Sequence, residues 1–179
     1  MRTKRIAFDA LLAAIALTLF LVELQIPSPV PIPGVKLGLA NIITVVALFL
    51  LSPVDALAVL FVRVLLGAVF GGNFMALFYS AAGGILCYLV MLLMRNFVTE
   101  KQIWVCSVMG AIAHNIGQMA VALIVTQTFA LIVYLPVLMV SGILAGLFTG
   151  LAAQFLTHRA KPLLARRGGG NDRGGETKT

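Results

Sequence analysis

The stretch FMALFYSAAGGILCYLVMLLM, residues 74–94, decides the fold class of this chain. It contains no charged side chain, and as an α-helix it would be about 30 Å long, which is the thickness of the hydrocarbon core of a bilayer. The rest of the chain is similar, because 61% of its residues are hydrophobic, against about 45–50% in soluble domains. The mean hydropathy is +1.07. A soluble fold of this length could not bury so much apolar surface, so we predict a membrane protein.

Outward from this stretch, proline, glycine and charged residues divide residues 6–157 into about six membrane-length segments. Ser52 is expected to cap helix three, with Pro53 at its first position. The start of helix six stays open, because Pro136 could begin it, while residues 129–135 fit a helix, a loop or a partly re-entrant segment. The predicted helices cover about residues 6–26, 35–51, 53–70, 74–94, 102–125 and a last segment that ends near 156.

The approach to helix two is a proline-rich stretch, Pro27-Ser28-Pro29-Val30-Pro31-Ile32-Pro33-Gly34. Proline fixes φ and lacks a backbone donor, so this stretch is predicted to be extended and fairly stiff. Helix two itself, at about residues 35–51, is short for a full span. We therefore expect it to be tilted less than the other helices or to start deeper in the membrane.

Charge predicts how the helices cross the membrane. Most of the thirteen Lys and Arg lie before the first span, in the loop 95–101 or after the last span, and cytoplasmic loops carry such an excess. We therefore predict an all-α domain at residues 1–160 with six transmembrane helices and both termini in the cytoplasm. A basic, glycine-rich tail at residues 161–179 is predicted to be disordered. The expected location is the inner (cytoplasmic) membrane, and the net charge of +7 indicates attraction to anionic lipid rather than nucleic acid.

Arg63 is the least expected residue for a membrane helix, since it lies roughly 15 Å deep in helix three. An Arg at that depth costs at least about 2.5–3.5 kcal/mol on insertion scales, so it must face protein or water. We expect no acid at the same depth, because Asp9 and Asp55 fall near the cytoplasmic edge and Glu23 near the outer edge. This favours an anion-binding role, while a structural Arg held by carbonyls or by an acid stays open.

A second polar group, His114-Asn115-Ile116-Gly117-Gln118, lies in helix five at about the depth of Arg63. Asn115 lies one step round the helix from the others. Such side chains are not expected to face lipid, so they either line a polar pocket or hydrogen-bond between helices. Helical spacing places four residues of this region on one face: Gly110, His114, Gly117 and Gln118.

Two polar residues near the outer end of helix two, Lys36 and Asn41, are further candidates for the pocket. Lys36 either helps to close a loop over an anionic ligand or extends to the membrane interface. Glu23 is an obvious ion-pair partner for it.

Small residues predict where helices pack closely. Ala10 and Ala14 form such a pair on helix one, and helix six carries a glycine ridge at Gly142, Gly146 and Gly150. Cys87 and Cys106 fall inside spans and are expected to be packing residues. We predict no metal site and no cofactor.

Several enzyme motifs are absent from the sequence. It has no Walker A loop, no aspartate-rich cluster to hold Mg²⁺ and a diphosphate, and no serine nucleophile with a matching base. We therefore do not expect an enzyme.

Two motifs, Pro33-Gly34-Val35-Lys36-Leu37-Gly38-Leu39-Ala40-Asn41-Ile42 and Gly110-Ala111-Ile112-Ala113-His114-Asn115-Ile116-Gly117-Gln118, resemble a bacterial family. Its members are described as heptaprenyl diphosphate synthase component I or as Gx transporter family proteins. The resemblance extends over about residues 5–157. That family in turn resembles the substrate-binding S components of energy-coupling factor (ECF) vitamin importers, which have six helices, basic cytoplasmic ends and a loop that closes the pocket.

The resemblance also implies partners. In S components, spaced alanines on the first helix contact the transmembrane coupling subunit, and Ala10 and Ala14 match that pattern. An ECF coupling subunit and its ATPases are therefore the implied protein partners.

We expect the chain to be the substrate-capture subunit of an importer for a small anionic metabolite. The pocket would open outward under the proline loop, with Arg63 pairing with ligand charge and His114 and Gln118 setting its orientation. The alternative is a membrane accessory of polyprenyl (heptaprenyl) diphosphate synthesis that holds the apolar product or recruits a soluble catalytic subunit. A purely structural membrane subunit is a third reading.

Overall fold

Six α-helices form a bundle in the computed structural model, which describes residues 2–25, 39–71 and 74–168. No strand occurs in these residues. The helices are α1 (Arg2–Gln25), α2 (Asn41–Leu50), α3 (Pro53–Gly71), α4 (Phe74–Met94), α5 (Ile103–Thr126) and α6 (Leu135–Gly168), with 3₁₀ turns at Glu100–Gln102 and Phe129–Tyr134.

Five of these helices are long and apolar enough to cross a membrane, namely α1, α3, α4, α5 and α6. Each of them exposes large apolar side chains at the bundle surface, such as Phe61 on α3 and Phe148 on α6. Lipid is the solvent that accommodates such a surface. The predicted all-α membrane bundle is therefore confirmed, although one of its six helices is not of spanning length.

The exception is α2, which has 10 residues and lies in the interior. Residues 41–48 are all buried, and the helix packs against α1, α3 and α6 with a smaller contact to α4. A helix that is apolar on every side is stable only where protein or lipid surrounds it completely. The sequence predicted that this helix starts near residue 35. That prediction is wrong for residues 39 and 40, because Leu39 and Ala40 form a turn.

The junction between α2 and α3 has the predicted cap. The Asp55 backbone N–H donates to Ser52 Oγ at 3.3 Å, and Ser52 Oγ donates to Asp55 Oδ2 at 2.8 Å. Pro53 is the first residue of α3, where its missing N–H costs no helical hydrogen bond. The Tyr88 hydroxyl on α4 then donates to the Pro53 carbonyl at 2.9 Å, which fixes this end of α3 against α4.

The polar break after α5 ends the helix through its own side chains. Gln127 adopts the left-handed conformation with φ 51°, and its Nε2 donates to the Ile124 carbonyl at 2.7 Å. The Thr126 hydroxyl donates to the Ala122 carbonyl at 2.8 Å. The bond to Ile124 satisfies a last-turn carbonyl that has no partner within the helix. Residues 129–134 then form a 3₁₀ turn, which answers the open question about this segment.

The last helix is longer than predicted. It begins at Leu135, with Pro136 in its first turn, and continues beyond the expected end near residue 156 to Gly168. Residues 161–168, expected in a disordered tail, are therefore helical. Leu, Ala and Arg have high helix propensity, and they outnumber the single Pro162 in this segment. Residues 169–179 lie outside the described part of the chain.

The glycine ridge of α6 packs directly on α5, as predicted. A Cβ atom added at Gly146 would lie 2.7 Å from Val108 Cα, and one at Gly150 would lie 2.6 Å from Trp104 Cα. Only a residue without a side chain permits this approach of two backbones. The hydroxyl groups of Ser107 and Thr149 hydrogen-bond across the same contact at 3.0 Å.

Candidate ligand-binding site

The predicted polar face of α5 packs against α4. A Cβ atom at Gly83 on α4 would lie 2.9 Å from His114 Nδ1 and 2.9 Å from Gln118 Cγ. A Cβ atom at Gly117 would lie 2.8 Å from the Ala82 carbonyl oxygen, and one at Gly110 would lie 2.7 Å from Met91 Cγ. The face that spacing predicted is therefore turned inward, and small residues on both helices make room for the imidazole and the amide.

Asn115, one step round the helix, faces α6 instead. Its Nδ2 donates to the Leu138 carbonyl at 2.6 Å, and the Ser141 hydroxyl donates to the same carbonyl at 3.0 Å. Gly142 leaves the space for this amide, since a Cβ atom there would lie 2.5 Å from Asn115 Nδ2. For Asn115, the structure thus shows the interhelical hydrogen bond that sequence reasoning kept as one of two readings.

A small interior cavity of about 20 Å³ connects several of the candidate residues. One water molecule needs roughly 10–15 Å³ by such a measure, so the cavity admits a small polar group rather than a whole metabolite. Its polar lining comes from α2, α5 and α6, and α4 contributes Cys87 and Met91. The polar residues that line it are Asn41, Ser107, His114, Asn115 and Thr149.

Two of the predicted residues are buried amides. Asn41 is 8% exposed and Gln118 is 5% exposed. Asn41 lines the cavity, and Gln118 packs beside His114 against Gly83. Both amides therefore lie inside the bundle, as their predicted place in a pocket requires.

Arg63 is buried, as predicted, but its surroundings differ from the expectation. Glu23 on α1 lies close enough to act on it electrostatically, as does Cys87 on α4. Glu23 is therefore an acidic neighbour of Arg63, although the sequence predicted that the two residues lie at different depths. The reason is the close approach of α1 to α3, where a Cβ atom at Gly67 would lie 2.8 Å from the Phe20 ring, because Glu23 lies about one turn beyond Phe20.

The guanidinium retains free hydrogen-bonding capacity beside Glu23. Its Nε is buried and has no hydrogen-bond partner among the described residues, and one carboxylate cannot use all five N–H donors of an Arg. Arg63 does not line the small cavity, although its neighbour Cys87 does. The structure therefore places Arg63 next to the cavity rather than within it.

Three polar residues near these sites were not predicted. Ser107 and Thr149 line the cavity, and the buried Thr44 Oγ1 on α2 has no hydrogen-bond partner in the described chain. Ser107 precedes His114 by seven residues, which is the same face of a helix, so this spacing could have identified it. Lys36 lies outside the described residues, together with the proline-rich stretch.

The predicted contact residues of α1 lie at the bundle surface. Ala10 and Ala14 are exposed, whereas Ala13 and Ala16 are buried. The exposed pair borders an open groove of about 540 Å³ between α1 and α3, whose other wall includes Ala58 and residues of the following turns. Ala10, Ala13 and Ala14 on α1 and Ala58 on α3 line the groove together with larger apolar residues such as Leu17 and Leu66.

The comparison with protein families gives one match. The model of the family described as heptaprenyl diphosphate synthase component I matches residues 12–156. This chain belongs to that family. The matched range includes both motifs, at residues 33–42 and 110–118. No curated protein and no solved structure matches the chain.

Within the described residues, no group of three or more His, Cys, Asp and Glu side chains lies together in a way that could hold a metal ion. Cys87 and Cys106 are free thiols in the interior. The Cys106 Sγ approaches the Met91 carbonyl at 3.5 Å, as a weak donor would. Both cysteines are packed between α4 and α5.

Proposed function

We propose that this chain is the substrate-binding membrane subunit, similar to an S component, of an ECF-type importer for a small anionic metabolite. The observation that carries the proposal is the set of buried polar groups without partners in the middle of a membrane bundle. The Nε of Arg63 and the Oγ1 of Thr44 both belong to it. Polar groups at this depth are rarely left unpaired unless a ligand or water completes them.

The chemistry of this set favours an anionic ligand with hydrogen-bond acceptors. Arg63, Asn41 and Gln118 each carry N–H donors, and imidazole adds another at His114. The small interior cavity holds only part of a metabolite, so the remainder of the ligand would lie beside it, toward Arg63 and Gln118. Glu23 offsets part of the charge of Arg63, so hydrogen bonds share the recognition with charge.

Native mass spectrometry of the purified protein tests this function. We expect a retained small molecule in the wild-type protein and its loss in Arg63→Ala, while Arg95→Ala, a matched change in the loop after α4, keeps it. Because a buried Arg variant can fail to fold, Gln118→Leu serves as a second variant of nearly unchanged volume. Full retention in both Arg63→Ala and Gln118→Leu, or no ligand in the wild type, contradicts the proposal.

The groove beside Ala10 and Ala14 supports the part of the proposal that concerns partners. Alanines at the bundle surface let the helix of another membrane subunit approach closely, and we assign this groove to a coupling subunit. Ala14→Leu is expected to remove an ATPase-containing complex from the co-purified proteins. Ala120→Leu, the same change at an exposed position on α5, is expected to leave that complex intact.

A membrane accessory of polyprenyl diphosphate synthesis is the second candidate, since the family name favours it. It predicts that a soluble prenyl synthase, rather than an ATPase, co-purifies with the tagged chain. We expect no synthase activity from this chain itself, because the sequence has no acidic motif for Mg²⁺ and diphosphate. Recovery of a prenyl synthase with the wild type and with Ala14→Leu alike would favour this candidate over the importer.

A further inference from the structure

We propose that α4 and α5 together bind one Cu(I) ion through three sulfur atoms, those of Cys87, Met91 and Cys106. The inference goes beyond the proposed function, because it concerns a metal ion rather than an anionic metabolite, and neither depends on the other. Spacing along the sequence did not predict such a site, since only the packing of the two helices brings the three sulfur atoms together.

The three sulfur-bearing residues lie where α4 packs against α5. Cys87 and Met91 are four residues apart on α4, and Cys106 and Gly110 are four residues apart on α5, so each pair shares one face of its helix. The Cys106 Sγ approaches the Met91 carbonyl at 3.5 Å. Gly110, one turn further along α5, lies against both Met91 and Cys87. The two faces therefore meet through sulfur-bearing side chains.

Gly110 makes room for two of the sulfur atoms. A Cβ atom added there would lie 3.0 Å from Met91 Sδ and 3.1 Å from Cys87 Sγ, so both atoms border the space that a side chain would fill. Cys106 brings the third sulfur to this contact, since it lies close enough to Cys87 to act on it electrostatically. Methionine has three rotatable bonds, so its sulfur can adjust to a metal ion without movement of the helices.

The kind and number of ligands select the metal. Thiolate and thioether sulfur atoms are soft ligands that suit Cu(I). Structural Zn²⁺ and iron–sulfur clusters are held by four ligands, mainly Cys and His. Within the part of the chain that the structure describes, no three His, Cys, Asp or Glu side chains lie together in such an arrangement. Two thiolates and one thioether therefore point to Cu(I).

The charge of the site is compensated inside the bundle. Both thiols release a proton to the solvent when the metal binds, so two thiolates and Cu(I) together carry one negative charge. Arg63 lies close enough to Cys87 to act on it electrostatically, and its positive charge offsets this excess. Cys87 and Met91 also line the small interior cavity, so the ion can reach them from a space that has a polar wall.

Competition with bathocuproine disulfonate, a chelator that absorbs visible light when it holds Cu(I), tests the site. The full-length protein in detergent is titrated with Cu(I) in the presence of ascorbate and without oxygen. We expect one Cu(I) ion per chain to be withdrawn from the chelator by the wild-type protein. Cys87→Ala and Cys106→Ala should each abolish this withdrawal.

Met91→Leu is the sharper variant, because it keeps the volume of the side chain and interiors tolerate such a change. Its affinity for Cu(I) should fall at least about 10-fold, since even groups that only support a ligand contribute about 10–100-fold to metal affinity. Met109→Leu makes the same change at an exposed position of α5 and should bind as the wild type does.

X-ray absorption by the bound copper gives a measurement that does not depend on affinity. We expect three sulfur neighbours of copper in the wild type and two in Met91→Leu. No withdrawal of Cu(I) by the wild type, withdrawal that persists in either Cys variant, or equal affinity in Met91→Leu and the wild type would overturn the inference. The same holds for an equal number of sulfur neighbours in these two proteins.

Discussion

Asn115 shows how one residue joins two helices. Its amide donates to the Leu138 carbonyl at 2.6 Å, a carbonyl in the second turn of α6, and this contact exists because Gly142 lacks a side chain. A hydrogen bond between helices in a membrane contributes about 0.6 kcal/mol on average. Steric fit at Gly142 is therefore expected to matter more than the bond itself.

Gly142→Ala tests whether steric fit at this position contributes more to stability than the Asn115 hydrogen bond. We expect it to lower the free energy of unfolding by about 1–3 kcal/mol, the usual cost of an overpacked interior, because the new methyl group would displace the Asn115 amide. Unfolding in mixed micelles measures the change. In the double variant Asn115→Ala/Gly142→Ala the clash is absent, so its cost should be well below the sum of the two single costs. Simple additivity would contradict the steric explanation.

Arg63 and Glu23 are the second residue-scale case, since both are buried and their charges interact. Arg63→Met is expected to lower the free energy of unfolding by up to about 3–5 kcal/mol, because it removes a positive charge that acts on the buried Glu23. The double variant Arg63→Met/Glu23→Gln should recover a large part of this loss, since a neutral amide needs no counter-charge. Measured unfolding free energies complete the double-mutant cycle. A coupling energy near zero would show that the two groups do not interact.

At the element scale, α2 and α3 differ in what determines their starts. α3 has a local signal, in which Ser52 and Asp55 exchange hydrogen bonds and Pro53 follows the cap. α2 has no side-chain cap, so packing against α1, α3 and α6 fixes its position. Local sequence is therefore sufficient to place the start of α3 but not that of α2.

Ser52→Ala checks the importance of the cap. Loss of a serine N-cap costs about 1 kcal/mol, so a lowered unfolding temperature is expected, and Ser52→Thr should restore most of the loss. The effect should be the same with and without ligand, because Ser52 lies at the end of α2 remote from Asn41. An unchanged unfolding temperature in Ser52→Ala would mean that packing alone fixes this end of α3.

Sequence predicted α3, α4 and α5 to within about one residue, since charged or Ser-Pro segments mark their ends. It misjudged α2, because a uniformly apolar segment is compatible both with lipid and with a buried position inside protein. For the site, spacing correctly grouped His114 with Gln118. It could not show that Asn115 turns toward α6 or that Glu23 reaches Arg63, because both depend on how separate helices pack.

At the scale of the whole molecule, five long helices and one half-length helix still allow both ends of the chain to lie on one side. The turn from α2 into α3 returns the chain to the side on which α1 begins, as a full span would. The loop after α4 and the connection between α5 and α6 then lie on opposite sides. The charge pattern predicts that the loop after α4 lies in the cytoplasm.

Labelling with a membrane-impermeant maleimide checks this topology in intact cells. Thr128→Cys, at the exposed connection before α6, is expected to react from outside, whereas Asn96→Cys should react only after the membrane is opened. Cys87 and Cys106 are buried, so the native chain provides an unlabelled background. Reaction of both variants from outside would rule out the arrangement.

The length of α6 has a consequence beyond the bilayer. Its 34 residues rise about 51 Å, and the hydrocarbon core accounts for about 30 Å of this. An ion pair between Lys161 and Glu100 ties the protruding turns to the start of α5. A protein that binds the basic end of α6 would therefore be held at a fixed distance from the lipid headgroups. The number of residues in α6 would determine that distance.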